Sequence, residues 1–381
     1  MSVTRPRLRN VASTVVHELK SRLRIQGLQI GLALALGLYR LNEARTIFHF
    51  RRKIGRRVHS WHCTLKIVQR MSLDPVVLFF ILGVIGGALK SDLELPKPFL
   101  EALTIFLLLA LGLKGGVAIS KSDFATLIVP ALALIIGALA LAFVAFILLF
   151  RLGKLSRIDA AATAAHYGSV SVITFVVAQT YLAKIDEEFG AQMAFYLAVL
   201  EVPALILAAI LGKRDEASPG HWDEFTRELL FGKSVLLLLG GMAIGAVAGE
   251  AGVKPFAPLF FDLFKGVVCF LLLELGVTTA RQFPELKRSG VFLAIFGVLF
   301  PITAAVFGAL IAKALGFGAG DQTLTAVLFA SASYIAAPSA MRVALPHANL
   351  GLAIAPVVAV TFPFNVIVGI PLYHRVVVAL G

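Results

Sequence analysis

Charge-free apolar runs, separated by short polar punctuation, occupy most of this chain. The stretches 124–150, 291–312 and 323–341 contain no charged residue. Runs of about 20 apolar residues match the hydrocarbon thickness of a bilayer. From Met71 onward the pattern gives ten hydrophobic segments, at about 75–89, 98–119, 123–150, 158–182, 190–211, 233–249, 257–280, 289–314, 321–344 and 350–379. The apolar positions run on without alternation, which excludes a membrane barrel built from ~10-residue alternating strands. The pattern predicts an all-α polytopic membrane protein with ten transmembrane helices.

Composition agrees with this pattern. Of 381 residues, 59% are apolar and 15% charged, whereas soluble domains carry about 25% charged residues. Mean hydropathy is +0.89. The net charge of +13 changes meaning once it is divided along the chain. Residues 1–70 hold 15 Lys and Arg against Glu18 and Glu43, while residues 71–381 hold 20 basic and 20 acidic residues. A basic tail on a neutral membrane body suggests anionic lipid rather than nucleic acid. Cys63 and Cys269 stand alone, so no disulfide or metal framework is expected.

The first 70 residues form a basic extension. They are Arg-rich and acid-poor, as a transit peptide or a basic surface helix is. Their only apolar stretch, 25–39, is short and interrupted by Gln26 and Gln29. Met71-Ser72-Leu73-Asp74-Pro75 leads straight into the first hydrophobic segment, so the extension is expected to be a targeting segment or a misassigned start. The polar stretch 213–232 divides the body into 71–212 and 233–381, five segments each. Loops after odd-numbered segments carry 13 Lys and Arg and the opposite side seven. The positive-inside rule therefore puts the 213–232 linker in the cytoplasm. Both ends of the body then lie outside, and the extension would have to be translocated, a second reason to separate it from the mature protein.

The two halves resemble each other. Gly112 in segment 2 answers Gly276 in segment 7. Segment 4 opens with Asp159 and Thr163 and reaches Gly168-Ser169-Val170-Ser171. Segment 9 opens with Asp321, Thr323 and Thr325 and reaches Ser331-Ala332-Ser333-Tyr334. Pro203 in segment 5 answers Pro363 in segment 10. Five segments repeated after an odd number of crossings enter the membrane in opposite senses, the inverted-repeat plan of many secondary transporters. The small and hydroxyl residues in segments 4 and 9 predict two broken helices. Backbone freed at membrane depth is tolerated only where protein or a water-filled cavity surrounds it. Half-helix N-termini suit an anion, and freed carbonyls and hydroxyls suit Na⁺. Small residues that merely pack helices together are the alternative explanation.

The stretch Gly112-Leu113-Lys114-Gly115-Gly116-Val117-Ala118-Ile119 resembles the Gly-Leu-x-Gly-Gly-x-Ala-Ile phrase of the cyanobacterial sodium-dependent bicarbonate transporters, the single-component SbtA-type family. Tyr167-Gly168-Ser169-Val170-Ser171 is similar to that family's first break. Ser331-Ala332-Ser333-Tyr334-Ile335, with Pro338 and Arg342, is similar to its second. Pro203 and Pro371 match its helix-5 and helix-10 prolines. The resemblance covers about 74–374. It implies a ten-helix 5+5 inverted repeat with bicarbonate and Na⁺ between the broken helices, no cofactor beyond the coupling ion, and a homotrimer in the cell (inner) membrane. A PII-like regulatory partner is known among such relatives. Three departures bear on cargo. Tyr334 replaces an aspartate, Val172 and Ile173 replace further small residues, and Glu201 replaces the helix-5 aspartate.

The resemblance assigns substrate binding to Gly168, Ser169, Ser171, Ser331, Ser333 and Tyr334, and Na⁺ binding to Glu201, Ser171 and Ser333. Glu201 and Glu274 are also candidates in their own right, since carboxylates inside spans are costly. Each can alternatively make a structural hydrogen bond. Lys114 can counter an anion or snorkel. His166 can act as a proton-sensitive gate or pack neutrally, and Arg342 can meet substrate or sit at the cytoplasmic end. His166 and Ser169 together raise a hydrolase reading, but no nucleophile elbow or metal-protease motif supports it, and no catalytic residue is assigned. A carrier of another small anion, or of an organic carboxylate, stays open as the rival within the transport class.

Overall fold

The computed structural model describes residues 75–121, 124–212, 225–227, 229 and 231–381, and the regular structure among them is helical, with no strand. The extension 1–70 and most of the 213–232 linker lie outside the described residues. Before the linker come α1 (Pro75–Ala88), α2 (Lys97–Ile119), α3 (Phe124–Arg151), α4 (Arg157–Gly168), α5 (Val172–Lys184), α6 (Met193–Leu200) and α7 (Pro203–Gly212). After it come α8 (Lys233–Val253), α9 (Phe264–Ser289), α10 (Val291–Ala314), α11 (Ala319–Ala330), α12 (Ala336–Ala344), α13 (Leu350–Pro356) and α14 (Ile370–Leu380).

Among the described residues, seven stretches are long and apolar enough to cross a membrane: 97–119, 126–151, 157–184, 193–212, 233–256, 291–314 and 350–380. The other three segments expected from hydropathy fall short for identifiable reasons. Helix α1 has only 14 residues. Helix α9 carries Arg281, Glu285, Lys287 and Arg288 near its end. Helices α11 and α12 split the ninth segment into pieces holding Asp321 and Arg342. Hydropathy ended the seventh segment at 280, yet α9 continues to Ser289. An Arg288–Glu285 contact at 3.4 Å decorates its polar last turns, and Gly290, at φ 88°, ends it.

The most extensive helix contacts are α1 against α9 and α2 against α8. Glycine permits both. A Cβ on Gly83 of α1 would lie 1.9 Å from the Leu273 carbonyl oxygen, and one on Gly276 of α9 would lie 2.2 Å from that of Phe80. In the second pair, a Cβ on Gly116 would lie 2.0 Å from the Met242 oxygen, and one on Gly245 would lie 2.3 Å from that of Leu113. Without a hydrophobic drive between helices in lipid, such close backbone approach is a main source of packing attraction. Each pair also has an exposed ion pair near one end: Lys121 with Glu250, and Arg281 with Glu94 at 2.7 Å. Exposed pairs of this kind contribute little stability.

Burial differs sharply between spans. The most apolar window of 157–184 is 100% buried, against 28% for that of 233–256. Helix α4 achieves this with small side chains, Ala160, Ala161, Ala162, Ala164 and Ala165 all being buried as it packs on α3 and α7. The last span is irregular. Pro356 and Pro363 each lack a backbone donor, and wide π-turns at Val357–Thr361 and Asn365–Gly369 absorb the mismatch.

Candidate functional site: where two broken spans cross

Helix α4 starts at an N-cap, the Ser156 Oγ accepting from the Asp159 N–H at 3.1 Å. Its first turn is tied across the molecule, because Asp159 Oδ1 accepts from the Asn349 N–H at 2.7 Å. Helix α11 repeats the device: Asp321 Oδ1 accepts from the Gly190 N–H at 2.7 Å, and Oδ2 from the Gln192 side chain at 3.0 Å. One turn on, Thr163 and Thr325 donate back to the Asp159 and Asp321 carbonyls. Both helices then stop at a serine in extended conformation, Ser169 (φ −94°, ψ 166°) and Ser331 (φ −78°, ψ 165°). Asp159, Thr163, Ser169 and Ser171 precede Asp321, Thr325, Ser331 and Ser333 by a constant chain separation.

The two breaks satisfy one another. The Ser171 N–H donates to Ser331 Oγ at 2.9 Å, and Ser331 Oγ donates to the Leu328 carbonyl at 2.8 Å. The Ser333 N–H donates to the His166 carbonyl at 2.8 Å, and His166 Nδ1 returns a bond to the Ser333 carbonyl at 2.5 Å. That bond requires a proton on Nδ1, and the enclosed Nε2 is left without a partner. Freed backbone groups are thereby paired inside protein, as membrane depth demands. Ser169 Oγ donates to the Glu201 carbonyl at 2.9 Å, so Ser169 and His166 each have other partners, and neither hydroxyl-to-imidazole bond nor nucleophile–base pair forms.

A serine hydroxyl serves the start of each second half-helix, as the N-cap of α5 and from two residues before the N-cap of α12. Ser171 Oγ caps α5 by accepting from the Thr174 N–H at 3.2 Å and from its hydroxyl at 2.9 Å. Ser333 Oγ accepts from the Ala337 N–H at 3.2 Å in the first turn of α12. Both N-termini border one small enclosed space lined by Ser171, Val172, Ile173, Ser333, Tyr334 and Glu201. It adjoins a wider cavity of about 300 Å³ that also takes in Thr104, Ser234, Ser339 and the Glu101–Lys233 ion pair, 3.1 Å long. Glu201 sits where α6 gives way to α7. It is 3% exposed, and its Oε2 has no hydrogen-bond partner. The Tyr334 phenol, beside Ser171, also lacks a well-formed hydrogen bond.

The remaining expected residues are placed elsewhere. Gly168 is a tight fit, since a Cβ there would lie 2.5 Å from Ala142 Cβ and 2.7 Å from Ala204 Cβ. Glu274 accepts from the Leu95 N–H at 3.0 Å and steadies the approach to α2. Lys114 is exposed, its ammonium 5.9 Å from the Phe189 ring centre. Arg342 is exposed and outside the cavity lining. Sequence reasoning passed over Asn365, whose amide donates to the Ala330 carbonyl at 2.8 Å, directly beside the second break. A lone amide inside an apolar span was the signal for it. Lys233, Thr104 and Ser234 were also passed over, and Glu101 is set aside by sequence because it lies near a span end within reach of the interface. They gain a role only when the starts of α2 and α8 are brought beside the breaks.

Residues 75–378 match the model of a family described as the Na⁺-dependent bicarbonate transporter superfamily. No curated protein matches the chain.

Proposed function

The chain belongs to the Na⁺-dependent bicarbonate transporter superfamily, and from that premise we propose that it is a Na⁺-coupled symporter taking up bicarbonate across the cell membrane. It is a multi-pass membrane protein of a transporter family, not of an enzyme family. In this reading the body crosses ten times as two inverted repeats, 71–212 and 233–381. The trimer and the PII-like partner belong to the same reading on resemblance alone.

The crossing of the two breaks is the observation that carries it. Two half-helix N-termini open onto one enclosed space containing serine hydroxyls, a phenol and a carboxylate. Helix N-termini favour an anion, and a carboxylate among hydroxyls suits Na⁺. Ser171, Ser333 and Glu201 receive the cation. Tyr334 completes the anion's surroundings with Ser171 and Ser333, while Gly168, Ser169 and Ser331, expected there from the resemblance, pack and tie the two breaks behind that space. The paired cross-ties of Asp159 and Asp321 support the repeat. So do the glycine contacts, Gly83 against Gly276 in one pair and Gly241 against Gly112 in the other. The wider cavity is lined by the starts of α2 and α8 and by Ser339 of α12. The loop-charge rule assigns these ends to the cytoplasm, which supports an inward-open state. Movement of the broken-span bundle past the α1–α9 and α2–α8 pairs is the elevator step. Val172, Ile173 and Tyr334 crowd the inner space and favour a small anion over an organic carboxylate.

The test is uptake of labelled bicarbonate by the full chain in liposomes. An inward Na⁺ gradient is expected to drive accumulation. Folded protein that fails to take up bicarbonate under any gradient, while accumulating another small anion, would replace the cargo.

A further inference from the structure

The wider cavity changes character away from the broken spans. Thr104, Ser234 and Glu201 line both it and the small inner space, so the two adjoin. Leu100, Val202, Leu205 and Leu229 add apolar wall. Lys233, next to Ser234 in the chain, is the cationic side chain among the described lining residues, and Glu101 pairs with it at 3.1 Å. An anion leaving the half-helix N-termini by this route meets apolar side chains, hydroxyls and then this ammonium beside its carboxylate.

Stability does not explain why Lys233 stands there. It is the first residue of α8, where the helix dipole disfavours a cation. Its pair with Glu101 leaves the two side chains 48% and 67% exposed, and pairs so exposed contribute little. That weakness makes the partner exchangeable, because another anion can replace the Glu101 carboxylate at nearly equal free energy. Lys233 and Glu101 lie in the first two turns of α8 and α2, one of the glycine-packed pairs. Leu205 and Ser339, elsewhere in the wall, belong to α7 and α12 on the broken-span side. We propose that Lys233 is the release post for the transported anion. Its ammonium leaves Glu101 for the anion as that comes off the broken spans. Glu101 then reclaims the ammonium and discharges the anion to the cytoplasm. This inference rests on the transport reading above and adds to it the exit step and the two residues that perform it.

Inhibition from the inside tests it, with the full chain inserted right side out in liposomes. Labelled-bicarbonate uptake under an inward Na⁺ gradient is measured against unlabelled bicarbonate preloaded in the lumen. Glu101→Gln leaves the ammonium to the anion and is expected to lower the half-inhibiting luminal concentration by up to about fivefold, the ceiling for an exposed ion pair. Lys233→Gln is expected to raise it by a similar factor, and Lys233→Arg, which keeps the charge, to restore wild-type inhibition. In all three, kcat/KM for external bicarbonate is expected to stay level, because that anion reaches the broken spans from the other face. Unchanged luminal inhibition in Lys233→Gln overturns the inference, as does a parallel loss of kcat/KM, the mark of a structural defect. Should Lys233→Gln fail to fold, Glu101→Gln decides, and unchanged luminal inhibition there overturns it. Wild type that takes up no bicarbonate under any gradient sinks the cargo reading instead. Thiol chemistry then decides on the post, using Ser339→Cys with Cys63 and Cys269 replaced by serine. Reaction with anionic sulfonatoethyl methanethiosulfonate, relative to its trimethylammonium analogue, is expected to rise with Glu101→Gln and fall with Lys233→Gln. Equal ratios in the three chains overturn the inference.

Discussion

His166 and Ser333, 167 positions apart in the chain, hold each other by two hydrogen bonds, backbone to backbone at 2.8 Å and imidazole to carbonyl at 2.5 Å. This clasp fixes one broken span against the other, and it sets the register in which both half-helices start at the same cavity.

Removing the imidazole leaves the Ser333 carbonyl buried with one donor fewer. His166→Leu is expected to lower stability by about 1–3 kcal/mol, read as a fall in unfolding temperature in detergent, and to abolish uptake. Wild-type unfolding temperature in that variant would show that the clasp contributes nothing.

Among the serines, stability and transport should separate. Ser171→Ala loses the N-cap acceptor of α5 and Ser333→Ala the acceptor of the Ala337 N–H, each at about 1 kcal/mol, yet uptake should vanish. Ser331→Ala orphans the buried Ser171 N–H and should cost about 1–3 kcal/mol. Thermal melts of the three variants beside their uptake rates check the ranking. Uptake that survives in Ser171→Ala and Ser333→Ala would remove both hydroxyls from the site.

Tyr334→Phe deletes a buried hydroxyl that has no well-formed hydrogen bond. Its unfolding temperature should stay level or rise slightly, since an unsatisfied hydroxyl is a liability. Bicarbonate uptake should fall roughly tenfold if the phenol donates to the anion, the value of about one lost hydrogen bond. Unchanged uptake would leave the phenol as a plug.

Packing of α1 on α9 gives the sharpest contrast. In Gly276→Ala the new methyl meets the Phe80 carbonyl oxygen at 2.2 Å, whereas Gly266, in the same helix, faces open space. Gly276→Ala should reduce the yield of monodisperse protein on size exclusion, and Gly266→Ala should leave it at the wild-type level. Equal yields would mean that the pair tolerates separation.

Most of the body was legible because lipid imposes one rule on every span, so charge-free length alone located helices such as α3 and α10. The breaks were legible from Gly168-Ser169 and Ser331-Ala332-Ser333, where helix formers give way to small hydroxyl residues. The partner of each residue was not. Nothing local says that His166 reaches Ser333, or that Glu274 serves the Leu95 N–H while Glu201 stays unpaired, because span-to-span contacts depend on rotation about each helix axis. Hydropathy misjudged the end of α9, since charged turns past Ala280 remain helical outside the apolar zone. Asn365 was overlooked because one amide barely changes the average of an apolar window.

The glycine-faced pairs also bear on how the protein is made. Each couples a helix from before the linker to one from after it: α1 waits for α9, and α2 waits for α8. While synthesis has reached only Gly212, the grooves at Gly83 and Gly116 have no ridge to receive. Their closure therefore comes late in biogenesis, when α8 and α9 emerge. A chain stopped near the linker would leave the glycine faces of α1 and α2 without the helices that close over them.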